Sequence, residues 1–148
     1  MTKLETAQKT AQACAAALWL ADHASQGLNM VIEHIAPGAA RLSMPVEPRM
    51  LNGNGTCHGG FIFTLADSAF AFACNTDGAV SVASQCSISF IRPARLGERL
   101  VATAEERHRA VRSGVYDVRV TAGPEVVAEF RGHSRTTGAR LIEAPDAG

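Results

Sequence analysis

The feature that most constrains the fold is an apolar segment near the middle of the chain. The segment from Phe61 to Cys74 consists mainly of Ala, Leu, Ile and Phe, contains no Pro or Gly, and has three polar residues, Thr64, Asp67 and Ser68. Its length and composition predict a helix. Because this helix is apolar nearly all round, it has to be buried, so other elements must surround it.

The chain after this helix changes to an alternating pattern. Apolar residues occupy every second position in four segments, and in the last of them Val126, Ala128 and Phe130 form the apolar side; the segments are 85–90, 100–105, 116–121 and 126–131. Turns containing glycine separate them. Alternation with a period of two predicts strands with one buried face.

The chain before the apolar helix predicts one more helix and two more strands. Good helix formers dominate from Thr2 to about Ser25, and the strand candidates Asn29 to Ile35 and Ala39 to Val46 flank a Pro37-Gly38 turn. Residues 50–60 form a glycine-rich loop. The predicted order is therefore helix, two strands, buried helix and four strands.

One apolar helix and several one-faced strands bury each other if the sheet curls around the helix. We therefore expect an α+β fold in which an antiparallel sheet wraps a central helix. Because 148 residues is the size of one domain, we expect a single domain over residues 1–148. It would carry an extra N-terminal helix over 1–26 and a flexible tail over 138–148.

The charge balance excludes some classes of partner. Lys plus Arg and Asp plus Glu each number 14, so the formal net charge is zero, which argues against a general nucleic-acid or membrane-surface binder. Nine of the twelve arginines nevertheless lie between Arg92 and Arg135. Arginine suits bidentate binding of phosphate or carboxylate, so the neutral total can hide a local anion site.

The cysteines and histidines indicate neither disulfides nor a metal. The four cysteines form no CxxC pair, which favours reduced thiols in a cytoplasmic protein, and no histidine pair has zinc-ligand spacing. The N-terminal segment weakly imitates a signal peptide, but Glu5 and the short, Ala-rich apolar stretch favour an ordinary helix. No segment reaches the ~18 apolar residues that cross a bilayer.

The start of the apolar helix has the features of an oxyanion hole. A helix that begins at His58-Gly59-Gly60 presents unpaired N–H groups and the positive end of its dipole, and glycine lets a ligand approach the backbone. Such donors stabilise a carbonyl oxygen that becomes negative in acyl transfer. Gly60 shares a helix stripe with Thr64 and Ser68, so we expect these residues to contact substrate.

Asp67 lies on the same face and is the candidate catalytic carboxylate. A carboxylate on an apolar helix is costly unless it is paired or used, and a purely structural bond to Thr64, Ser68 or an arginine is the alternative. The helix rises roughly 10 Å between Gly60 and Asp67, too far for both to act on one carbonyl. An antiparallel second copy would bring its Asp67 beside these glycines, which predicts a homodimer with two composite sites.

Residues near the glycines could assist. His58 is either a base or a substrate-orienting donor, and its place at a helix start favours orientation. Cys57 next to His58 suggests a nucleophile, but adjacent side chains in an extended loop point apart. Asn52 precedes a glycine, which is typical of a turn residue, although its position also suits holding the attacking water.

The arginine-rich half offers candidates for binding a nucleotide-bearing substrate. Two or three arginines together with N–H groups of a turn could bind its phosphates. The candidates are Arg92, Arg112, Ser113, Gly114 and Arg135. The alternative is that most of these arginines are solvated residues on a strand edge.

With these residues the sequence resembles a known family, the hot-dog-fold acyl-CoA thioesterases, and within it the group involved in phenylacetic acid degradation. The combination of His58-Gly59-Gly60, an aspartate seven residues after the second glycine, and Arg92-Pro93 is specific. Further matches are residues 50–53, 65–67, 73–75, 97–98, 114–117 and 130–132, so the resemblance covers about 27–137. The loop 54–56 departs from the pattern, in a region that varies among family members.

The resemblance implies a hot-dog fold, dimers that join into tetramers, and hydrolysis of a coenzyme A thioester without a cofactor. It implies that the Gly59 N–H polarises the thioester carbonyl, and that Asp67 of the neighbouring subunit acts as general base or nucleophile. Asn52 and His58 would place substrate or water. Phenylacetyl-type and hydroxyphenylacetyl-type acyl groups are the implied substrates, with medium-chain acyl groups as further ones.

Two other functions fit the same residues. A hot-dog hydratase or dehydratase would share acid–base duty between His58 and Asp67, so loss of either would abolish activity. A non-catalytic module would bind acyl-CoA without turnover and would lose little from Asp67→Asn.

Overall fold

The computed structural model describes residues 1–143, which form one antiparallel sheet and three α-helices. The helices are α1 (Lys3–Ala21), α2 (His23–Gly27) and α3 (Gly59–Cys74), and a 3-10 turn occupies Pro48–Met50. The strands are β1 (Val31–Ala36), β2 (Ala39–Pro45), β3 (Ala79–Phe90), β4 (Arg99–Arg109), β5 (Ser113–Ala122) and β6 (Glu125–Arg140). Their order in the sheet is β1-β2-β4-β5-β6-β3, which leaves β1 and β3 at the edges.

Helix α3 lies against the sheet and forms the centre of the core, as the sequence predicts. It contacts every strand, and Leu65, Ala66 and Ala69 on it are fully buried. Phe70 packs against Tyr116 of β5 and Phe130 of β6 with ring centroids 5.6 and 5.9 Å apart. The predicted α+β architecture, with a sheet around a central helix and an extra N-terminal helix, is confirmed.

The strand patterns are confirmed in β4 and β5, while the three apolar positions of the predicted segment 85–90 in β3 are only half-buried or exposed, and β6 contains one local error. The alternate residues of β4 and β5, such as Leu100 and Val118, are buried as predicted. In β6, however, Val127 is fully buried and Val126 is only half-buried. The register between β5 and β6 shifts after Val120, and this irregularity inserts Val127 into the core.

Both ends of the chain differ in detail from the prediction. The N-terminal helix ends at Ala21, and Asp22 then caps the separate short helix α2 by accepting a hydrogen bond from the Ser25 N–H (3.0 Å). At the other end β6 continues to Arg140, so residues 138–140 are strand. The rest of the predicted tail, from residue 144, lies outside the described residues.

The N-terminal helices pack on the outer side of α3. Trp19 lies 6.2 Å from Phe72, measured between ring centroids, and the Ser25 hydroxyl lies 2.8 Å from that of Ser68. Residues 1–143 contain no helix long and apolar enough to cross a membrane.

Candidate active site

The start of α3 is held by His58, which caps the helix with its own side chain. Nδ1 of His58 accepts a hydrogen bond from the Gly60 N–H at 2.9 Å. The Gly60 N–H is therefore not available to a ligand, in contrast to the prediction that both glycines donate. Within residues 1–143 the Gly59 N–H donates no hydrogen bond, so this group is a free donor at the helix start.

Side chains of the same chain explain why glycine occupies both positions. A Cβ on Gly59 would lie 2.9 Å from Cζ of Phe90, and a Cβ on Gly60 would lie 3.1 Å from Nδ1 of His58. The Phe90 ring and the His58 imidazole thus occupy the space that a side chain at these two positions would need. Phe90 is itself half exposed, so the ring forms a wall beside the Gly59 N–H.

Asp67 is a half-buried carboxylate on the third turn of α3. Burial raises its pKa above the usual value of 3.8, and a hydrogen bond from the Cys86 thiol, 3.9 Å from Oδ1, partly opposes that rise. Through residues 1–143 it forms no bond to Thr64, Ser68 or an arginine. The structural alternative for Asp67 is therefore not observed.

Thr64 and Ser68 are engaged elsewhere. The Thr64 hydroxyl donates to the Gly60 carbonyl at 2.8 Å, and the Ser68 hydroxyl is bonded to Ser25, which in turn donates to Asp22. In this structure their hydroxyls bond the helix to its own backbone and to α2. The contact with substrate that the sequence predicts for both residues stays a prediction.

Gly59 and Asp67 are separated along their own helix. Eight residues of α-helix correspond to a rise of about 12 Å, so one chain does not bring the free N–H and the carboxylate to the same reacting atom. This agrees with the separation expected from the sequence.

Asn52 is a turn residue in this structure. Its Oδ1 accepts hydrogen bonds from the N–H of Asn54 (2.9 Å), the N–H of Thr56 (3.2 Å) and the Thr56 hydroxyl (3.3 Å). Only its Nδ2 remains for a substrate or water. Cys57 is buried, burial raises the pKa of its thiol, and its sulfur contacts the His58 carbonyl rather than the imidazole.

The five candidates for phosphate binding fall into two groups. Arg92 forms ion pairs with Glu98 (2.8 Å) and Glu125 (2.5 Å). Its guanidinium therefore links these two parts of the chain and is not free to bind an anion. The others lie together at the β4–β5 turn, where Ser113 pairs in register with Arg135 and the Thr136 N–H donates to the Arg112 carbonyl. Gly114 is packed against Tyr116 and Ser134, where a Cβ would not fit.

Arg112 and Arg135 differ from most arginines of this half of the chain. Six arginines between residues 92 and 135 pair with carboxylates: Arg92, Arg99, Arg107, Arg109, Arg119 and Arg131. In the described chain, Arg112 and Arg135 have no acidic partner within 4 Å, and both are exposed. Their charge remains available.

Two residues that touch this site are not among the candidates from the sequence: Cys86 beside Asp67 and Phe90 beside Gly59. Both lie in the alternating segment 85–90, whose apolar side is predicted to be buried but not to contact the candidate site. The signal was present, since the apolar side of a strand in this fold faces the central helix. Residues 1–143 contain no group of three side chains arranged to hold a metal ion.

A curled antiparallel sheet around a helix, with a free N–H at the helix start and a carboxylate two turns later, defines a hot-dog-fold protein. Residues 54–129 match the model of the thioesterase superfamily. The acyl-coenzyme A thioesterase PaaI of Escherichia coli is 43% identical over 126 residues, which are 84% of this chain and 90% of that protein. The chain belongs to the thioesterase superfamily.

Solved structures agree with this assignment. The structure of the PaaI protein from the E. coli phenylacetic acid degradation operon superposes with a TM-score of 0.88 at 41% identity, covering 90% of this chain and 97% of that one. A Streptococcus mutans protein bound to acetyl-CoA superposes with a TM-score of 0.73 at 29% identity, covering 76% of this chain and 91% of that one.

Proposed function

We propose that this protein is an acyl-CoA thioesterase that hydrolyses aryl acyl-CoA, of the phenylacetyl or hydroxyphenylacetyl type, and medium-chain acyl-CoA to the free acid and coenzyme A. The observation that carries the proposal is the free Gly59 N–H at the start of α3 together with the half-buried Asp67 carboxylate. The similarity to an acyl-CoA thioesterase and to a protein that binds acetyl-CoA supports this substrate class. Coenzyme A enters as part of the substrate, and hydrolysis requires no cofactor.

The reaction follows from the chemistry of the two groups. The Gly59 N–H donates to the thioester oxygen and stabilises the negative charge that develops there. Asp67 takes a proton from water, whose oxygen attacks the carbonyl carbon; the C–S bond then breaks and the sulfur leaves as thiolate, which takes up a proton. Burial raises the pKa of Asp67, and this makes the carboxylate a stronger base than an exposed aspartate. Direct attack by Asp67, with a transient anhydride, is the variant of this mechanism.

The two groups act together when they come from different subunits. Gly59 lies against Phe90 and Asp67 against Cys86, so residues 86–90 of β3 span the same interval as residues 59–67 of α3. β3 is a twelve-residue edge strand, on which a second copy can pair antiparallel. A two-fold axis near the middle of that interval would bring Asp67 of the partner subunit to Gly59. We propose a homodimer with two such sites, and a homotetramer built from two dimers.

The same two-fold arrangement suggests where the phosphates of coenzyme A bind. Arg135 pairs with Val82 of β3, eight residues or roughly 26 Å along the strand from Phe90 of the same chain. Antiparallel pairing brings that end of the partner's sheet towards Gly59. Exposed Arg112 and Arg135, with Ser113 and Gly114 in the adjacent turn, then face the nucleotide.

The direct test is to incubate the purified protein with phenylacetyl-CoA, a hydroxylated analogue and several medium-chain acyl-CoAs, and to follow release of free thiol. We expect release from the aryl substrates and loss of at least a hundredfold in kcat for Asp67→Asn. His58→Ala should keep a measurable part of the activity. No thiol release from any substrate would rule out the proposal.

The alternatives predict different outcomes. Equal loss in Asp67→Asn and His58→Ala, with addition or loss of water at the acyl chain, would indicate a hydratase or dehydratase. Tight binding of acyl-CoA without thiol release, unaffected by Asp67→Asn, would indicate a binding module.

The phosphate site has a separate test. Arg112→Ala and Arg135→Ala should raise KM for phenylacetyl-CoA about three- to tenfold each, while KM for the phenylacetyl thioester of pantetheine, which lacks the nucleotide, stays unchanged. Arg41→Ala is the matched control, because Arg41 is an exposed arginine of β2 near the opposite edge of the sheet. An equal change for both substrates would contradict the assignment.

We also propose a cytoplasmic location for the protein. Free coenzyme A thioesters are intracellular metabolites, and the cysteines are unpaired thiols in the described chain.

A further inference from the structure

Cys86 is a half-buried thiol that points at the candidate base. It lies on β3, pairs in register with Gly132 of β6, and its sulfur donates to Oδ1 of Asp67 at 3.9 Å. The neighbouring positions Gln85 and Ser87 are exposed on the other side of the strand. The alternation of β3 therefore directs the Cys86 side chain to α3.

Within residues 1–143, the Cys86 thiol is the group that donates a hydrogen bond to the Asp67 carboxylate. Among the hydrogen bonds of residues 1–143, the Cys86 contact is the one that involves the Asp67 carboxylate. Thr64 donates to a backbone carbonyl and Ser68 is bonded to Ser25. Because the thiol is the one donor within reach, it favours the orientation of the Asp67 carboxylate in which Oδ1 faces Cys86.

We propose that Cys86 is a positioning residue of the active site: its S–H holds the Asp67 carboxylate in the orientation from which it takes the proton of water. The proposal rests on the proposed function of Asp67. Cys86 itself forms no bond to substrate and stays a thiol throughout the reaction.

The interaction also has a defined electrostatic sign. Donation from the thiol favours the charged form of the carboxylate, so it opposes the rise that burial causes in the pKa of Asp67. In return, burial and the nearby Asp67 charge raise the pKa of the Cys86 thiol and keep it protonated. Each group therefore stabilises the other in the form that the mechanism needs.

The test compares Cys86→Ala, which removes the donor, with Cys86→Ser, which keeps one. In Cys86→Ala the acidic limb of the kcat/KM profile should move to higher pH, with kcat/KM on that limb falling about fivefold and KM little changed. Cys86→Ser should restore the wild-type limb. Cys74→Ala is the matched control, since it removes a buried thiol of α3 that bonds the Ala71 carbonyl instead of Asp67.

A second measurement does not need activity. Alkylation of Cys86 by iodoacetamide, followed by peptide mass spectrometry across a pH series, reports the fraction of thiolate. Asp67→Asn removes the charge that disfavours the thiolate, so the apparent pKa of the Cys86 thiol should fall and its alkylation at neutral pH should become faster. This readout remains valid if Cys86→Ala fails to fold.

The outcomes separate the two proposals. If no acyl-CoA is hydrolysed but the alkylation of Cys86 still depends on Asp67, the contact exists and the proposed function is wrong. If hydrolysis depends on Asp67 while Cys86→Ala keeps the wild-type pH profile, or while alkylation of Cys86 is the same in Asp67→Asn, the positioning role is overturned.

Discussion

Asp67, the proposed base, is a residue whose burial lowers the stability of the folded protein when its carboxylate is charged. Its carboxylate is half-buried on an apolar helix, and its donor within the described residues is a thiol, which is a weak hydrogen-bond donor. The charged form is therefore less well solvated in the folded protein than in the unfolded chain. Such an arrangement is typical of a functional group, because a structural carboxylate would have acquired stronger donors.

The raised pKa of Asp67 makes the stability of the protein depend on pH. Because the folded-state pKa of Asp67 lies above 3.8, the folded protein binds more protons than the unfolded chain between these two values, and stability falls as the pH rises through this window. The variant Asp67→Asn does not lose stability in this way, because asparagine does not titrate. Its Tm should exceed that of the wild type at pH 7, and the difference should shrink below about pH 3.8. Thermal melts at pH 3.5, 5 and 7 measure this; a lower Tm for Asp67→Asn at pH 7 would contradict it.

His58 combines a structural role with its place beside the free N–H of Gly59. Its Nδ1 caps α3, so His58→Ala should lower the free energy of unfolding by roughly 0.5–2 kcal/mol, the usual effect of losing an N-cap. His58→Asn keeps a capping oxygen and should recover most of this loss. Urea unfolding of the two variants, with thiol release measured in parallel, separates capping from substrate placement. If both variants have equal stability, the cap contributes little.

The elements show which parts of the fold the sequence determines. The helix α3 and the alternating strands could be predicted because burial repeats along each of them with a fixed period. The break between α1 and α2 and the insertion of Val127 could not, because one depends on a single Asp22 cap and the other on a register shift between two strands. In the same way, sequence placed Gly59, His58 and Asp67 in one helix but did not reveal that His58 occupies the Gly60 N–H.

The pairing of arginines is likewise a property of the elements in space. The sequence showed nine arginines in one half of the chain, yet the strands place acidic residues next to six of them. Arg92 is an example, since its carboxylate partners come from the turn before β4 and from the first residue of β6. It connects the segment before β4 with the start of β6, about 30 residues further along the chain.

Arg92 should therefore matter for stability more than for substrate binding. Arg92→Ala leaves Glu98 and Glu125 without their partner and should lower the free energy of unfolding by about 1–3 kcal/mol. Arg119→Ala is the matched control: the Arg119–Glu129 pair is exposed, and its loss should cost at most about 1 kcal/mol. Chemical unfolding of both variants is the measurement. A raised KM in Arg92→Ala at unchanged stability would restore the original assignment to phosphate binding.

At the scale of the whole molecule, the proposed function needs two groups that one chain keeps apart. Gly59 and Asp67 are separated by a rise of about 12 Å along one helix. The edge strand β3, which contacts both regions, has one side without a partner strand in residues 1–143. Because the formal net charge is zero, electrostatic repulsion between two copies is weak. These properties agree in favouring a molecule that completes its site by pairing with itself.

Subunit mixing tests this arrangement. Asp67→Asn removes the proposed base. Gly59→Val places a side chain beside the proposed N–H donor, where even a Cβ would lie 2.9 Å from the Phe90 ring. Each variant alone should be nearly inactive. A heterodimer has one site with both defects and one intact site, so an equimolar mixture should regain about a quarter of the wild-type rate, as random pairing predicts.

The control is to follow exchange with two different affinity tags, so that heterodimers are isolated and counted. Gly59→Ala, which adds the smallest side chain, replaces Gly59→Val if the latter folds poorly. Recovered thiol release should scale with the fraction of heterodimer, because the intact site needs the Gly59 N–H of one subunit and the Asp67 carboxylate of the other. Isolated heterodimers without activity would show instead that each site lies within a single chain, and helix α3 would then have to bend or break between residues 59 and 67 to bring the two groups together.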